Sequence, residues 1–146
     1  MQESMTEETQ KTEIPNGMKG NILLVDDDKF LVDLYSTKLT ASGFTVQVCL
    51  SGKQAIQALR SGFAPAIILF DITMPEMDGF AFLRALSDEH LAAGAVKIAL
   101  SNQSDDAEKN KAMEAGATRY VIKASMIPSE VVNTVVEELA KHEAKA

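Results

Sequence analysis

Basic charge is in short supply in this chain: 14 Lys and Arg stand against 21 Asp and Glu, a net charge of −7 over 146 residues. Such a surface repels phosphate backbones and anionic lipid, so neither nucleic acid nor membrane is expected as a partner. Cysteine is nearly missing too. The single Cys49 can form no internal disulfide, which suits a reducing cytoplasm, and at the end of an apolar segment it reads as a small buried hydrophobe. No apolar run nears the roughly 20 residues that span a bilayer. The opening stretch, MQESMTEETQKTEIPNGMKG, lacks the basic start and apolar core of a secretory signal. What is present, 46% hydrophobic and 24% charged residues, is globular composition in a chain long enough for one domain with its own core.

Residues 1–20 are polar and end in Pro15, Asn16 and Gly17, the pattern of a flexible N-terminal tail. From Asn21 short apolar runs alternate with amphipathic segments. The runs NILLVD (21–26), FTVQVC (44–49), AIILFD (66–71), VKIALS (96–101) and TRYVIK (118–123) predict strands. Between them the spacing predicts helices near 29–42, 52–61, 78–89 and 105–115, with a last one at 129–142. Ser51 and Ser129 sit where helices begin, and Gly43, Gly62 and Gly116 where they end. Val131, Val132, Val135, Val136 and Leu139 form a core stripe on the final helix. Five such units predict an α/β domain over residues 21–142, a doubly wound parallel sheet with helices on both faces, and a short end at 143–146. Folds of this class bind ligands beyond the carboxyl ends of their strands, where the strand order reverses.

The residues at those ends are polar. The first strand runs into Asp26, Asp27 and Asp28, the third into Asp71, the fourth into Ser101 and the fifth into Lys123. Carboxylates gathered together repel, and a hard cation such as Mg2+, which takes oxygen ligands and often shares its shell with phosphate, relieves them. Asp71, alone and followed by the loop ITMPEMDG, is the candidate nucleophile for an acyl phosphate. Asp26, Asp27, Asp71 and the backbone carbonyl of Thr73 are the candidate metal ligands; Lys123 and Ser101 would bind the phosphoryl oxygens. Asp28 reads as the cap of the first helix, Asp78-Gly79 as loop and helix start, and His90 and His142 as surface residues.

The set LLVDDD, LFDITMPEMDG, IALSN and GATRYVIK, in this order and spacing, resembles the receiver domain of bacterial response regulators, the CheY-like superfamily, over about residues 21–142. The resemblance implies a (βα)5 flavodoxin-like fold with strand order 2-1-3-4-5. It implies Mg2+-dependent phosphorylation of Asp71 by a histidine kinase or phosphotransfer protein, with Asp27 a direct ligand and Asp26 acting through water. Ser101 and Tyr120 would then be switch residues, and Thr73, Asn102 and Gln103 would modulate the lifetime of the phosphoryl group. The signal would pass to a downstream protein through the surface of the fourth helix, fifth strand and fifth helix. A stand-alone regulator is expected, since no helix-turn-helix follows the last helix, as a monomer or a weak phosphorylation-dependent dimer.

Two positions depart from the family pattern. Ala124 follows Lys123 where Pro is usual, leaving either a trans peptide with a shifted lysine or a cis one that costs about 2.5 to 4 kcal/mol. Asn102 stands where Ala or Gly is usual. These departures motivate an alternative, a pseudo-receiver that binds partners without phosphate. A second alternative is a haloacid-dehalogenase-like phosphatase using Asp26 and Asp28, which would leave Asp71 without a role.

Overall fold

The computed structural model describes residues 20–123 and 127–145, with side chains through residue 142. Residues 1–19 of the expected tail, the Lys123-Ala124 peptide and the side chains of the 143–146 end lie outside the described residues. Five strands, β1 (Asn21–Val25), β2 (Thr45–Cys49), β3 (Ile67–Asp71), β4 (Val96–Ser101) and β5 (Arg119–Ile122), alternate with five helices. The helices are α1 (Lys29–Ala41), α2 (Gly52–Arg60), α3 (Gly79–Glu89), α4 (Asp106–Glu114) and α5 (Pro128–Lys145). All strand pairs are parallel and the order is β2-β1-β3-β4-β5. This is the doubly wound, flavodoxin-like arrangement expected of the sequence.

The alternation of side chains along each strand divides the core in two. Leu23, Val25, Ile68, Phe70 and Ala99 face one side and pack on Ile56 and Leu59 of α2 and Phe82, Leu83 and Leu86 of α3. Ile22, Leu24, Ile67, Leu69, Ile98 and Leu100 face the other and meet Val32, Tyr35 and Leu39 of α1 and Val131, Val132, Val135 and Leu139 of α5. Because both faces are covered, β3 is buried at every position and reads in sequence as a continuous apolar run, not an alternating one. The stripe on the final helix is therefore core.

Helix ends follow local chemistry. Asp28, Ser51, Asp78 and Asp105 each turn a side-chain oxygen onto backbone N–H groups of the turn that follows, which satisfies donors that a helix start leaves free. No glycine follows α3. His90 closes it instead, at a left-handed φ of 55° and exposed to solvent, a conformation costlier for a residue with a Cβ.

The chain leaves β1 for β2 on one side and crosses to β3 on the other, so a crevice opens beyond the carboxyl ends of β1 and β3. Its floor is fixed by Gly79. A Cβ there would lie 2.8 Å from Ile72 Cα and 2.9 Å from Asp71 O, backbone atoms that cannot swing away, and the Gly79 N–H donates to Ile72 O at 2.8 Å. The start of α3 thus lies directly on the end of β3. Gly79→Ala should lower stability by roughly 1 to 3 kcal/mol through overpacking, whereas Gly94→Ala, with open space around it, should stay within about 0.5 kcal/mol of the parent. Urea unfolding of both variants checks this, and equal stabilities would mean that α3 can shift without cost.

Candidate functional site

Asp26 continues β1 by one residue, its N–H bonded to Cys49 O at 3.1 Å. It is wholly buried. Its Oδ1 accepts from the Asp28 N–H at 3.0 Å and its Oδ2 from Lys123 Nζ at 3.0 Å. Asp27 points into solvent. Asp28 turns away and accepts from the N–H groups of Phe30 and Leu31 at 3.1 and 3.2 Å, so it is engaged as the cap of α1 and is not part of the cluster. Asp71 ends β3 with 2% of its surface exposed. Lys123 follows β5 and reaches back across the crevice, its Nζ also 3.2 Å from Asp71 Oδ1. Ligand oxygens of Asp26, Asp27 and Asp71 lie within 4.8 Å of one another.

Two buried carboxylates face one ammonium, and the balance is incomplete. Burial pushes the Asp71 carboxyl up from its ordinary 3.8 to about 6, and the charge of Asp26 adds to the rise. Lys123 and the Thr73 N–H pull the other way without cancelling it. For Lys123, burial opposes the charged form, yet Asp26 and Asp71 outweigh it and hold the ammonium above its ordinary range. Lys123 hydrogen-bonds Asp26 at 3.0 Å, while its contact with Asp71 Oδ1 is an ion pair at 3.2 Å. Asp71 Oδ1 consequently has no hydrogen-bond partner among the described residues. An orphaned buried oxygen, beside two more carboxylates at ligand spacing, fits a small divalent cation with oxygen ligands.

The remaining predicted residues form a second, adjoining group. Register sets Asp71 opposite Leu100, so Ser101, buried, is the next residue along β4. Ser101 Oγ lies 2.9 Å from Gln103 O and 2.5 Å from Glu108 Oε1. The Tyr120 hydroxyl, on half-buried Tyr120, lies 2.9 Å from the same carbonyl and 2.6 Å from the same carboxylate oxygen. Burial and the Glu108 bond both hold the Tyr120 phenol above its ordinary range. Thr73, Asn102 and Gln103 are exposed on the loops around the crevice. His90 and His142 are exposed and stand outside the cluster, and Cys49 is buried. Burial raises the Cys49 thiol, which disfavours the reactive thiolate. Glu108 is the residue that sequence reading missed. Its spacing from Asp105 is that of a helix cap, and its true partners come from two strand ends that only the fold brings together.

A family model described as response regulator receiver domain matches residues 22–135. The DNA-binding response regulator MtrA of Mycolicibacterium smegmatis is 32% identical over 126 residues, covering 86% of this chain and 53% of that protein. The chain thus spans about half the length of such relatives. Among solved structures, the BeF3-activated receiver domain of DrrB, a Thermotoga maritima regulator, is 28% identical with a TM-score of 0.70, covering 85% of this chain and 99% of that one. A CheY-like receiver domain protein from Methanospirillum hungatei, at 23% identity, TM-score 0.79 and coverage of 88% and 100%, is similar in fold. No helix among the described residues is long and apolar enough to cross a membrane.

The raised Asp71 carboxyl has a consequence for stability. Since the folded state holds this proton more tightly than the unfolded chain, the folded state loses stability as pH rises from about 4 through about 6, and the penalty persists above. Asp71→Asn removes the charge. In metal-free buffer it should stabilise the protein by roughly 1 to 3 kcal/mol at about pH 7.5 and bring little gain below about pH 4. Denaturant unfolding across this range is the check; a destabilised Asn variant at neutral pH would mean that Lys123 more than offsets burial.

Proposed function

The chain belongs to the response regulator receiver domain family, and from that premise we propose that it is a phosphoryl-accepting switch of a two-component or phosphorelay system, with Asp71 as acceptor. The observation that carries this reading is Asp71 Oδ1, a buried carboxylate oxygen with no hydrogen-bond partner among the described residues, at the mouth of the crevice and facing Lys123. A structural carboxylate in such a place would be satisfied.

In the proposed reaction an Asp71 carboxylate oxygen attacks the phosphorus of a phosphohistidine on a histidine kinase or phosphotransfer protein. The new P–O bond forms as the P–N bond breaks, and its electron pair stays with the imidazole nitrogen. Lys123, 11% exposed at its side chain, offsets charge on the phosphoryl oxygens, and Ser101 donates its hydroxyl proton to one of them. Asp26, Asp27, Asp71 and the Thr73 carbonyl would hold Mg2+, whose charge lets carboxylates and phosphoryl oxygens share the crevice. Asp26 keeps Lys123 in reach through its 3.0 Å bond. Thr73, Asn102 and Gln103, exposed around the crevice, would set how readily water reaches the acyl phosphate.

The switch then works by population shift: contacts made only with the phosphoryl group favour one packing of Ser101, Tyr120 and the α4-β5-α5 face over another. That face would contact a downstream protein. The protein would act in the cytoplasm as an acceptor, with at most self-phosphorylation from small donors and autodephosphorylation as activities of its own. The net charge of −7 disfavours direct contact of this domain with nucleic acid.

Intact mass after incubation with Mg2+ and a small acyl-phosphate donor tests the proposal. The expected result is a gain of one phosphoryl group, lost with EDTA and absent in Asp71→Asn. Lys123→Ala should lower the extent of modification by at least about tenfold, since a charge-assisted contact to the phosphoryl group is removed. Modification that survives in Asp71→Asn would assign the acceptor elsewhere.

A further inference from the structure

We infer that Glu108 is a positioning residue for the switch hydroxyls: from the first turn of α4 its carboxylate holds Ser101 and Tyr120 together and competes with a phosphoryl group on Asp71 for the Ser101 proton. The inference rests on the reading of Asp71 as phosphoryl acceptor and adds to it the group that opposes the switch.

The geometry begins with a helix start that is used unconventionally. Asp105 and Glu108 have the spacing of a capping box, in which the later acidic residue turns back to the N–H of the earlier one. Asp105 performs its half, accepting from the N–H groups of Ala107 and Glu108 at 2.9 and 3.2 Å. Glu108 does not face Asp105. Its Oε1 lies 2.5 Å from Ser101 Oγ and 2.6 Å from the Tyr120 hydroxyl oxygen. Hydrogen bonds to a carboxylate are stronger than neutral ones, and these two join the end of β4, the middle of β5 and the first turn of α4 at a single atom.

Ser101 and Tyr120 have one hydroxyl proton each, and among the described residues their acceptors are two, Glu108 Oε1 and Gln103 O. Ser101 Oγ in turn accepts from the Gln103 N–H at 3.2 Å. Every donor is matched, so Ser101 has no proton left for a third acceptor. A phosphoryl oxygen at Asp71 can claim that proton only by displacing Glu108 or the Gln103 carbonyl. Once Ser101 leaves, Tyr120 keeps its bond to Glu108 but loses the strand end that framed it, so β4, β5 and α4 loosen as one unit. A ligand shifts such an equilibrium only by contacts that differ between its two states, and the Ser101 proton is such a contact.

Two measurements on the full chain test this. The first needs no ligand: urea unfolding of the parent, Ser101→Ala, Glu108→Ala and the double variant. The expected result is non-additive losses, the double variant being more stable than the sum of the single losses allows; additive losses overturn the inference. The second is a titration with fluoroberyllate in Mg2+, a phosphoryl mimic, followed by amide NMR. Glu108→Ala should bind roughly five- to tenfold more tightly than the parent, the scale of one hydrogen bond, and the gain should vanish in the Ser101→Ala background. Equal or weaker binding by Glu108→Ala, or a gain that persists without Ser101, overturns it. A parent protein that binds no fluoroberyllate while its unfolding cycle stays non-additive would refute the phosphoryl reading of Asp71 and, with it, the competition, while leaving the bond itself established.

Discussion

Two carboxylates and one ammonium, closed in at the carboxyl end of a parallel sheet, set the terms for everything around them. Asp26 and Asp71 are almost without solvent, and buried charge of one sign is tolerated only where opposite charge or hydrogen bonds compensate it. Lys123 compensates part. It is committed by alignment to Asp26, which leaves Asp71 with a raised carboxyl and an oxygen without a partner. The fold holds this imbalance in place by over-determination: β3 is buried along its whole length, and Gly79 lets α3 press on the backbone beneath Asp71. A side chain that could move would relax, and this one cannot. A cation entering the crevice would relieve this imbalance, because its charge offsets that of the two carboxylates.

Compensation at the neighbouring group follows the opposite logic. Ser101, Tyr120, Gln103 and Glu108 form a set in which both hydroxyl protons have an acceptor. The acidic cluster keeps one carboxylate oxygen without a hydrogen-bond partner among the described residues, while both hydroxyls are partnered. The two groups lie side by side on β3 and β4, so on the proposed reading a phosphoryl group on Asp71 would draw on the Ser101 proton, and one proton serves only one acceptor at a time.

Much of this arrangement was legible in the chain because the fold depends on period and punctuation. Apolar runs of strand length, ending in carboxylates, hydroxyl or lysine, fell within a residue or two of the observed strands, and caps such as Asp28, Ser51 and Asp78 appear where short-range chemistry demands them. The carboxyl-end rule for parallel sheets then brought Asp26, Asp71, Ser101 and Lys123 together without any knowledge of distances. Two things could not be read. The opposite exposure of Asp26 and Asp27 depends on which way each side chain leaves the end of β1, with Asp26 inward and Asp27 to solvent. Glu108 was hidden more deeply: in sequence it completes a local cap, and its role lies in contacts with residues 7 and 12 positions away that exist only once β4, β5 and α4 are assembled.

Half-buried Glu108 also shows why a position at the edge of the core can matter as much as one within it. It sits on a helix whose other residues are nearly all solvent-facing, Ala112 being the one side chain that α4 buries. A helix anchored by so little apolar area depends more than its neighbours on polar ties to stay in place, since burial is what fastens the rest of the fold. α2 buries Ile56 and Leu59 and α3 buries Phe82, Leu83 and Leu86, so each has more apolar area to hold it in place. α4 cannot spare its bond so easily. The helix with the least buried apolar surface is thus the one tied to Ser101 and Tyr120, which on the proposed reading would make α4 the place where a phosphoryl group on Asp71 reaches the surface.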